Sequence, residues 1–384
     1  CIHFEKGIRP EQPVKYDKKA DRGITRRIMF GKIKVLIVDD SGFTQEVLKT
    51  ILEKDPAIQI IGMAEDGKKA IELTQKLKPD VVVMDINMPV MNGFEATEHI
   101  MAYCPTPILI LSSVIDKEGI FTTFNALAAG AVDVMEKPSM LPSNSWSGIG
   151  DVLIRKLKLI SKAKVVTHVK GRVKEFSPHV KPVSLIKSNT PEIIGIGAST
   201  GGPSVVMQIL KSIPANYDSG ILVVQHMASG FIKGFSDWLG AACKVKVRLA
   251  KNGEKIETGQ VLVAPDGCHT VVCSNKTIGL VLGEKVQGVK PSVDILFNSI
   301  AEVYGNSAVG VLLTGMGADG AEGLKHIKDN GGMTIAQSED SCAVFGMPKV
   351  AIEKGAASKV LSVEDIIRTL KGVVNNNSQQ GKLL

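Results

Sequence analysis

The chain has 384 residues, 44% of them hydrophobic and 22% charged, with a formal net charge of +7 at pH 7. That length suits two domains, each large enough for its own core, and no apolar run reaches the length needed to cross a bilayer. The positive excess gathers between Asp151 and Thr190, where basic residues run from Arg155 to Lys187 against one acid after Asp151, Glu175; with aromatic residues at 4%, this reads as a solvated linker and argues against a nucleic-acid-binding protein.

In chain order, residues 1–31 are rich in charge, show no periodicity and lack the apolar core of a signal peptide. Met29 stands where a start codon would stand for the domain that follows. The expectation is a disordered extension arising from gene-start assignment, with a short interaction tail as the functional alternative.

From Lys34 the chain alternates strand and helix. Lys34-Val-Leu-Ile-Val38 predicts a strand, followed by a helix with Phe43, Val47, Leu48, Ile51 and Leu52 at helical spacing. Ile58 to Ala64, Val81 to Met84 and Pro107 to Leu111 predict further strands, with a helix over Lys68 to Leu77 and a short fifth strand leading to Lys137-Pro138. Repeated βα units of this kind predict a parallel sheet covered on both faces. Working residues then lie at the carboxyl ends of the strands, and those ends carry Asp39-Asp40, Asp85, Ser112 and Lys137. Converging carboxylates repel unless a divalent cation sits among them. A hydroxyl and an ammonium beside them suit a phosphoryl group held on one carboxylate. Each residue alone would read as a cap or a solvated side chain; all together at strand ends they do not.

Val38-Asp39-Asp40-Ser41, Met84-Asp85-Ile86-Asn87-Met88-Pro89 through Gly93, Ser112 and Glu136-Lys137-Pro138 resemble the response-regulator receiver family over about Ile33 to Met140. The resemblance implies that Asp85 accepts a phosphoryl group from a histidine kinase. It implies that Asp39 or Asp40 and Asp85 bind Mg²⁺, helped by the backbone carbonyl of Asn87, and that Ser112 and Lys137 sense the phosphate.

Asp151 to about Val166 has helical spacing and is expected to close this first domain; Lys170 to Thr190 reads as the interdomain linker. Next comes Ile193-Ile-Gly-Ile-Gly-Ala-Ser-Thr-Gly-Gly-Pro203, which predicts a buried strand, a tight turn at Ser199 and a helix opened by proline. Gly197-Ala-Ser199-Thr-Gly201 fits the G-x-S-x-G elbow of a serine hydrolase. The glycine spacing also suits a dinucleotide phosphate loop, or a tight βα turn without chemistry. The following strand, Ile221 to Val224, runs into Gln225-His226. A dinucleotide site wants an acid there for the ribose; a hydrolase wants a base beside the serine. Segments Gly259 to Val263, His269 to Cys273 and Thr277 to Leu282 read as inserted hairpins, and Ser292 to Tyr304 as a helix. Cys268-His269 with Cys273 has the wrong spacing for a zinc site, and the other cysteines, Cys1, Cys104, Cys243 and Cys342, are scattered as in a reduced, cytoplasmic protein. Strand Val309 to Leu313 runs into a glycine-rich loop carrying Asp319. Competing acids are Asp266 and Asp294, the latter in a first helical turn where a carboxylate stabilises the helix dipole without chemistry. Ser199, His226 and Asp319 are therefore the expected nucleophile, base and orienting acid.

Ile196-Gly-Ala-Ser-Thr-Gly-Gly202, Gln225-His-Met227, Pro291-Ser-Val-Asp294, Leu313-Thr-Gly-Met-Gly317 with Asp319-Gly320, and Ala343-Val-Phe-Gly-Met-Pro348 resemble the catalytic domain of the chemotaxis protein-glutamate methylesterases, over about Glu192 to Val373. The resemblance implies demethylation of glutamate methyl esters on methyl-accepting chemoreceptors with release of methanol, and deamidation of receptor glutamines. It implies an oxyanion held by backbone N–H groups near Thr200 and Met316, and phosphorylation-dependent release of a receiver that covers the Ser199 cleft. No cofactor is expected for the esterase chemistry; Mg²⁺ serves the receiver. The competing reading is a receiver-controlled nucleotide-binding module. Departures from the family pattern are the N-terminal extension, Ala318 and the long basic linker, and they bear on domain docking.

The expected fold class is α/β in two domains, each a doubly wound, mostly parallel sheet: a five-stranded flavodoxin-like receiver and a larger esterase domain with inserted β-hairpins. The expected boundaries are an extension over 1–31, the receiver over 32–150, a closing helix and linker over 151–190, the catalytic domain over 191–374 and a disordered tail over 375–384. The expected location is cytoplasmic, with no nucleic acid bound and nothing embedded in a membrane.

Overall fold

A computed structural model describes residues 31–112, 117–137, 146–163, 165 and 191–375. The expected N-terminal extension up to residue 30, Pro138, the linker beyond Val165 and the tail from residue 376 lie outside the described residues.

The first domain runs β1 (Ile33–Val38), α1 (Gly42–Leu52), β2 (Ile58–Ala64), α2 (Gly67–Leu77), β3 (Val81–Asp85), α3 (Gly93–Tyr103), β4 (Ile108–Ser112), α4 (Lys117–Ala128), β5 (Asp133–Glu136) and α5 (Trp146–Ile160). Its sheet has the order β2-β1-β3-β4-β5, with every neighbouring pair parallel. β3 and β4 are buried at every residue, as runs without polar alternation require in a sheet covered on two faces. Ser41, Asp66 and Asn92 cap α1, α2 and α3 by accepting from the N–H groups of Thr44, Lys69 and Glu95. The closing helix differs from the expectation of Asp151 to Val166. It begins at Trp146 and ends at Ile160, because the N–H groups of Lys162 and Ala163 turn back to Leu159 and Ile160 and tighten the chain out of the α-helix.

The second domain runs β6 (Ile193–Ala198), α6 (Gly202–Ser212), β7 (Gly220–Gln225), α7 (Phe231–Ala242), β8 (Lys246–Leu249), β9 (Gln260–Val263), β10 (His269–Val272), β11 (Ile278–Val281), α8 (Val293–Tyr304), β12 (Ala308–Leu312), α9 (Ala321–Asp329), β13 (Met333–Gln337), α10 (Met347–Glu353), β14 (Lys359–Leu361) and α11 (Val363–Asn375). Seven strands form one sheet in the order β14-β13-β12-β6-β7-β9-β8, all parallel. The glycine-rich β6 lies at its centre. Gly195 and Gly197 leave room there for α8: a Cβ would stand 2.8 Å from Ile300 Cδ1 at the first and 2.3 Å from Val293 Cγ1 at the second.

The expectation of inserted hairpins is corrected at one segment. β10 and β11 do pair as an antiparallel hairpin, but β9 joins the main sheet parallel to β7 and β8. All of β9 is buried, as suits a strand enclosed on both faces, whereas a hairpin flap would alternate.

The two domains share apolar surface. Phe124 on α4 packs against Trp238 and Phe235 on α7, with ring centroids 5.4 Å and 5.7 Å apart. Phe124 and Phe235 are fully buried, and burying each contributes about 1.5–3 kcal/mol. Two hydrogen bonds fix the register: Trp238 Nε1–H to Asn125 Oδ1 at 3.2 Å, and Ser204 Oγ–H to the Leu127 carbonyl at 2.7 Å.

Candidate functional site

At the carboxyl edge of the first sheet, Asp39, Asp40 and Asp85 bring carboxylate oxygens within 4.8 Å of one another. Asp39 and Asp85 are buried and Asp40 is exposed. The Lys137 ammonium lies between two of them, 2.9 Å from Asp39 Oδ2 and 2.7 Å from Asp85 Oδ2. It stands there because β5 delivers it: the Lys137 N–H donates to the Ser112 carbonyl at 3.0 Å. Burial pushes the Asp85 carboxyl above the usual carboxylate range; the Lys137 ammonium opposes this, and the Asp39 charge adds to it. Three oxygen donors with this excess of negative charge suit a hard divalent cation such as Mg²⁺. Ser112 is buried, and its hydroxyl accepts from Thr123 Oγ1 on α4 at 3.0 Å. Thus Asp39, Asp40, Asp85, Ser112 and Lys137 meet at one edge, with Asn87 two residues past β3.

At the carboxyl edge of the second sheet, Ser199 follows β6 and His226 follows β7. Their preceding residues, Ala198 and Gln225, are register partners, and the His226 N–H donates to the Ala198 carbonyl at 2.9 Å. The side chain of Gln225 ties the two turns together, donating from Nε2 to the carbonyls of Ser199 at 2.8 Å and His226 at 2.9 Å. Gly201 closes the Ser199 turn at φ +76°, where an added Cβ would stand 2.6 Å from that of Ala343.

His226 Nε2 meets Asp319 Oδ2 at 2.9 Å. Asp319 is 3% exposed and is held on several sides. Ser292 Oγ–H donates to its Oδ1 at 2.7 Å, the Val293 N–H to Oδ2 at 2.6 Å and the Asp294 N–H to Oδ1 at 3.2 Å. These last are the opening N–H groups of α8, so the carboxylate also meets the positive end of a helix dipole. Burial acts to raise the Asp319 carboxyl, but His226, Ser292 and Val293 outweigh it and hold it below the usual carboxylate range.

Several supporting residues carry no role in the sequence reading. Ser292 is both the N-cap of α8 and a donor to Asp319. The Ser292 N–H donates to His269 Nδ1 at 3.1 Å, and His269 Nε2–H donates to the Glu284 carbonyl at 2.9 Å. Both His269 nitrogens are thus engaged in structure. Thr314 is fully buried; its hydroxyl lies 3.0 Å from the Thr200 carbonyl and accepts from the Val344 N–H at 2.9 Å, joining the Ser199 turn to the 343–347 stretch. The motifs around Gln225, Ser292 and Thr314 are visible in the sequence, but their hydrogen bonds cross between distant segments.

Asp294 lies in the first turn of α8, as read from the sequence, but it does more than face a dipole. It is 6% exposed, accepts from the Gly323 N–H at 2.8 Å and from Gln287 Nε2 at 2.8 Å, and sits against Asp319. Burial, with the Asp319 charge adding to it, pushes its carboxyl up to about 6. Asp266, the other competing acid, accepts from the Gly230 N–H at 2.8 Å. Thr200, two residues past β6, is buried, and Met316, four residues past β12, is 41% exposed. The Ser199 and Gly315 N–H groups are engaged with the Thr314 and Val344 carbonyls, both at 3.0 Å.

Residues 194–370 match the CheB methylesterase family model and residues 35–143 the response regulator receiver domain model. The chain is 45% identical over 346 residues to the protein-glutamate methylesterase/protein-glutamine glutaminase 1 of Syntrophus aciditrophicus, covering 88% of this chain and 97% of that protein. It is 42% identical over 352 residues to the protein of the same activities from Methanococcus maripaludis, covering 87% and 96%. The crystal structure of the Thermotoga maritima CheB methylesterase catalytic domain matches at 37% identity and a TM-score of 0.47, over 48% of this chain and 100% of that one.

Proposed function

The chain belongs to the protein-glutamate methylesterase/protein-glutamine glutaminase family with an attached receiver domain, and on that premise we propose that Ser199, His226 and Asp319 hydrolyse glutamate methyl esters on methyl-accepting chemoreceptors. The observation that carries the site is the 2.9 Å contact of His226 Nε2 with the buried Asp319, on the strand next to the Ser199 turn. An imidazole whose Nε2–H is engaged by a carboxylate presents Nδ1 as the base. Nδ1 takes the Ser199 proton as Oγ attacks the ester carbonyl, and returns it to the departing methoxide, which leaves as methanol. Water, deprotonated in turn by His226, cleaves the acyl-enzyme to give the glutamate carboxylate and free Ser199. A glutamine side chain follows the same route with ammonia as leaving group. On the family resemblance, the oxyanion is held by N–H groups near Thr200 and Met316 and by the α6 N-terminus; the Ser199 and Gly315 N–H groups are bonded within the fold. The nucleotide-binding alternative loses its basis, since the strand after the glycine turn ends in the histidine held by Asp319.

Control resides in the receiver. Asp85 takes a phosphoryl group from a histidine kinase. Asp39, Asp40 and Asp85, with the Asn87 carbonyl, would hold Mg²⁺, which neutralises charge during that transfer. Lys137 and Ser112 then engage the phosphoryl oxygens. Two receiver contacts fall near the Ser199 turn: α4 bonds Ser204 on α6, and Ala343, beside Gly201, packs against a receiver core cluster. That arrangement supports occlusion in the unphosphorylated state. The expected location is the cytoplasm; among the described residues no helix is long and apolar enough to cross a membrane.

The test is methanol release from methylated receptor membranes, with and without a small phosphodonor and Mg²⁺. Wild-type release rises with the phosphodonor. Ser199→Ala lowers kcat by about 10⁴-fold or more, and Asp85→Asn retains basal release without stimulation. Undiminished release by Ser199→Ala would remove the serine mechanism.

A further inference from the structure

Beside the triad lies a cleft of about 400 Å³ lined by His226, Met227, Asp266, Lys285, Val289 and Lys290, among others. It begins at His226, so a polypeptide whose esterified side chain reaches Ser199 can lay its neighbouring residues along it. We propose, on the esterase reading above, that this cleft is a subsite for acidic side chains flanking the esterified glutamate, recognised by the ammonium groups of Lys285 and Lys290.

The charge of the cleft favours an anionic guest. Lys285 is exposed, and among the described residues no carboxylate pairs with either lysine. Lys290 Nζ donates one hydrogen bond, to the Gly283 carbonyl at 3.0 Å, which leaves two of its three N–H groups for a ligand. The acid of the cleft, Asp266, is turned to the Gly230 N–H, from which it accepts at 2.8 Å. Met227, Ala228 and Val289 supply apolar wall for the methylene stem of a glutamate.

The loop that carries both lysines is also tied to the triad. His269 donates to the Glu284 carbonyl at 2.9 Å and accepts from the Ser292 N–H, and Ser292 donates to Asp319. Gln287 Nε2 donates to Asp294 Oδ2 at 2.8 Å, and the Asp294 N–H donates to Asp319. Two chains of hydrogen bonds therefore hold the lysine loop in register with the acid that orients His226. A recognition element fixed to the catalytic acid places the susceptible ester by where its neighbours dock.

The experiment uses the phosphodonor-activated full chain and two synthetic peptides. Each carries one glutamate γ-methyl ester, flanked by glutamates in one and by alanines in the other; methanol release gives kcat and KM. The wild type prefers the acidic peptide by about threefold to tenfold in kcat/KM at low salt, as expected for two partly exposed charge pairs, expressed in KM. The preference shrinks toward unity at about 1 M salt. Lys285→Glu with Lys290→Glu inverts the preference, and Lys285→Gln alone reduces it. Lys246→Glu, at the amino-terminal end of β8, keeps the wild-type ratio. Because each variant is judged by its own ratio, a change in overall activity does not blur the result. Equal kcat/KM for both peptides in the wild type, or a preference that survives the double reversal, would overturn the subsite. Release from neither peptide would instead sink the esterase reading and the subsite with it.

Discussion

Asp294 and Asp319 sit against each other at the start of one helix, and their surroundings drive them apart. Asp319 has a histidine, a hydroxyl and helix N–H groups around it and stays ionised. Asp294 is buried against that charge and is pushed up to about 6. The folded protein therefore keeps the Asp294 proton at a pH where the unfolded chain, near 3.8, has released it. Between about pH 4 and pH 6 this carboxyl makes stability fall as pH rises, by about 3 kcal/mol at most. Asp294→Asn removes that contribution. In thermal unfolding, the Tm of wild type minus that of the variant is expected to decline from pH 4 to pH 7. A difference that stays constant would mean that Asp294 titrates normally. Gly315 illustrates a different residue-scale constraint: a Cβ there would stand 2.6 Å from that of Ser199, so the Ser199 turn and the loop leading to Asp319 close together only over a glycine.

Helix α4 links the two sites at the scale of one element. Its Thr123 hydroxyl donates to Ser112 at the carboxylate edge of the receiver sheet, while Phe124, Asn125 and Leu127 meet the catalytic domain. If Ser112 turns to a phosphoryl oxygen, it leaves Thr123, and one restraint on α4 is released. Thr123→Val keeps the volume and removes the hydroxyl. Its expected effect is higher methanol release without phosphodonor and a smaller ratio of stimulated to basal release, by about twofold to tenfold for a hydrogen bond worth about 0.5–1.5 kcal/mol. An unchanged ratio would exclude this bond from the coupling. The same scale explains the correction at β9. Its buried, apolar run is legible as a strand, but its neighbours β7 and β8 are set by packing of the whole sheet.

Across the whole molecule, the receiver meets the catalytic domain through α4, which bonds Ser204 on α6, and through a receiver core cluster against which Ala343 packs. Full burial of Phe124 and Phe235 between domains makes this contact more than a polar touch. A chain beginning near Lys187 is therefore expected to release methanol faster than the unphosphorylated full chain and to ignore phosphodonor. Equal rates for the two would rule out occlusion and leave the receiver with some other role.

Much of this is readable from local pattern. Strand runs such as Val81-Val-Val-Met84 and Ile193-Ile-Gly-Ile, the acids and lysine at the first sheet's edge, and Ser199, His226 and Asp319 at the second's follow from periodicity and from the rule that loops after parallel strands carry the chemistry. Each of these signals is a strand run and the few residues that follow it, so it is read from a short stretch of chain. What surrounds them is not. That Ser292 and the α8 N–H groups hold Asp319, that Gln225 ties the two turns, and that α4 seats on α7 all depend on contacts between segments far apart in the chain. The sequence alone determined the two sheets and which residues stand at their working edges, because hydrophobic periodicity and turn chemistry are local. Only the tertiary structure decided the tautomer-setting contacts, the elevated Asp294, the lysine-lined cleft and the docked receiver, because hydrogen-bond partners and burial are properties of packing.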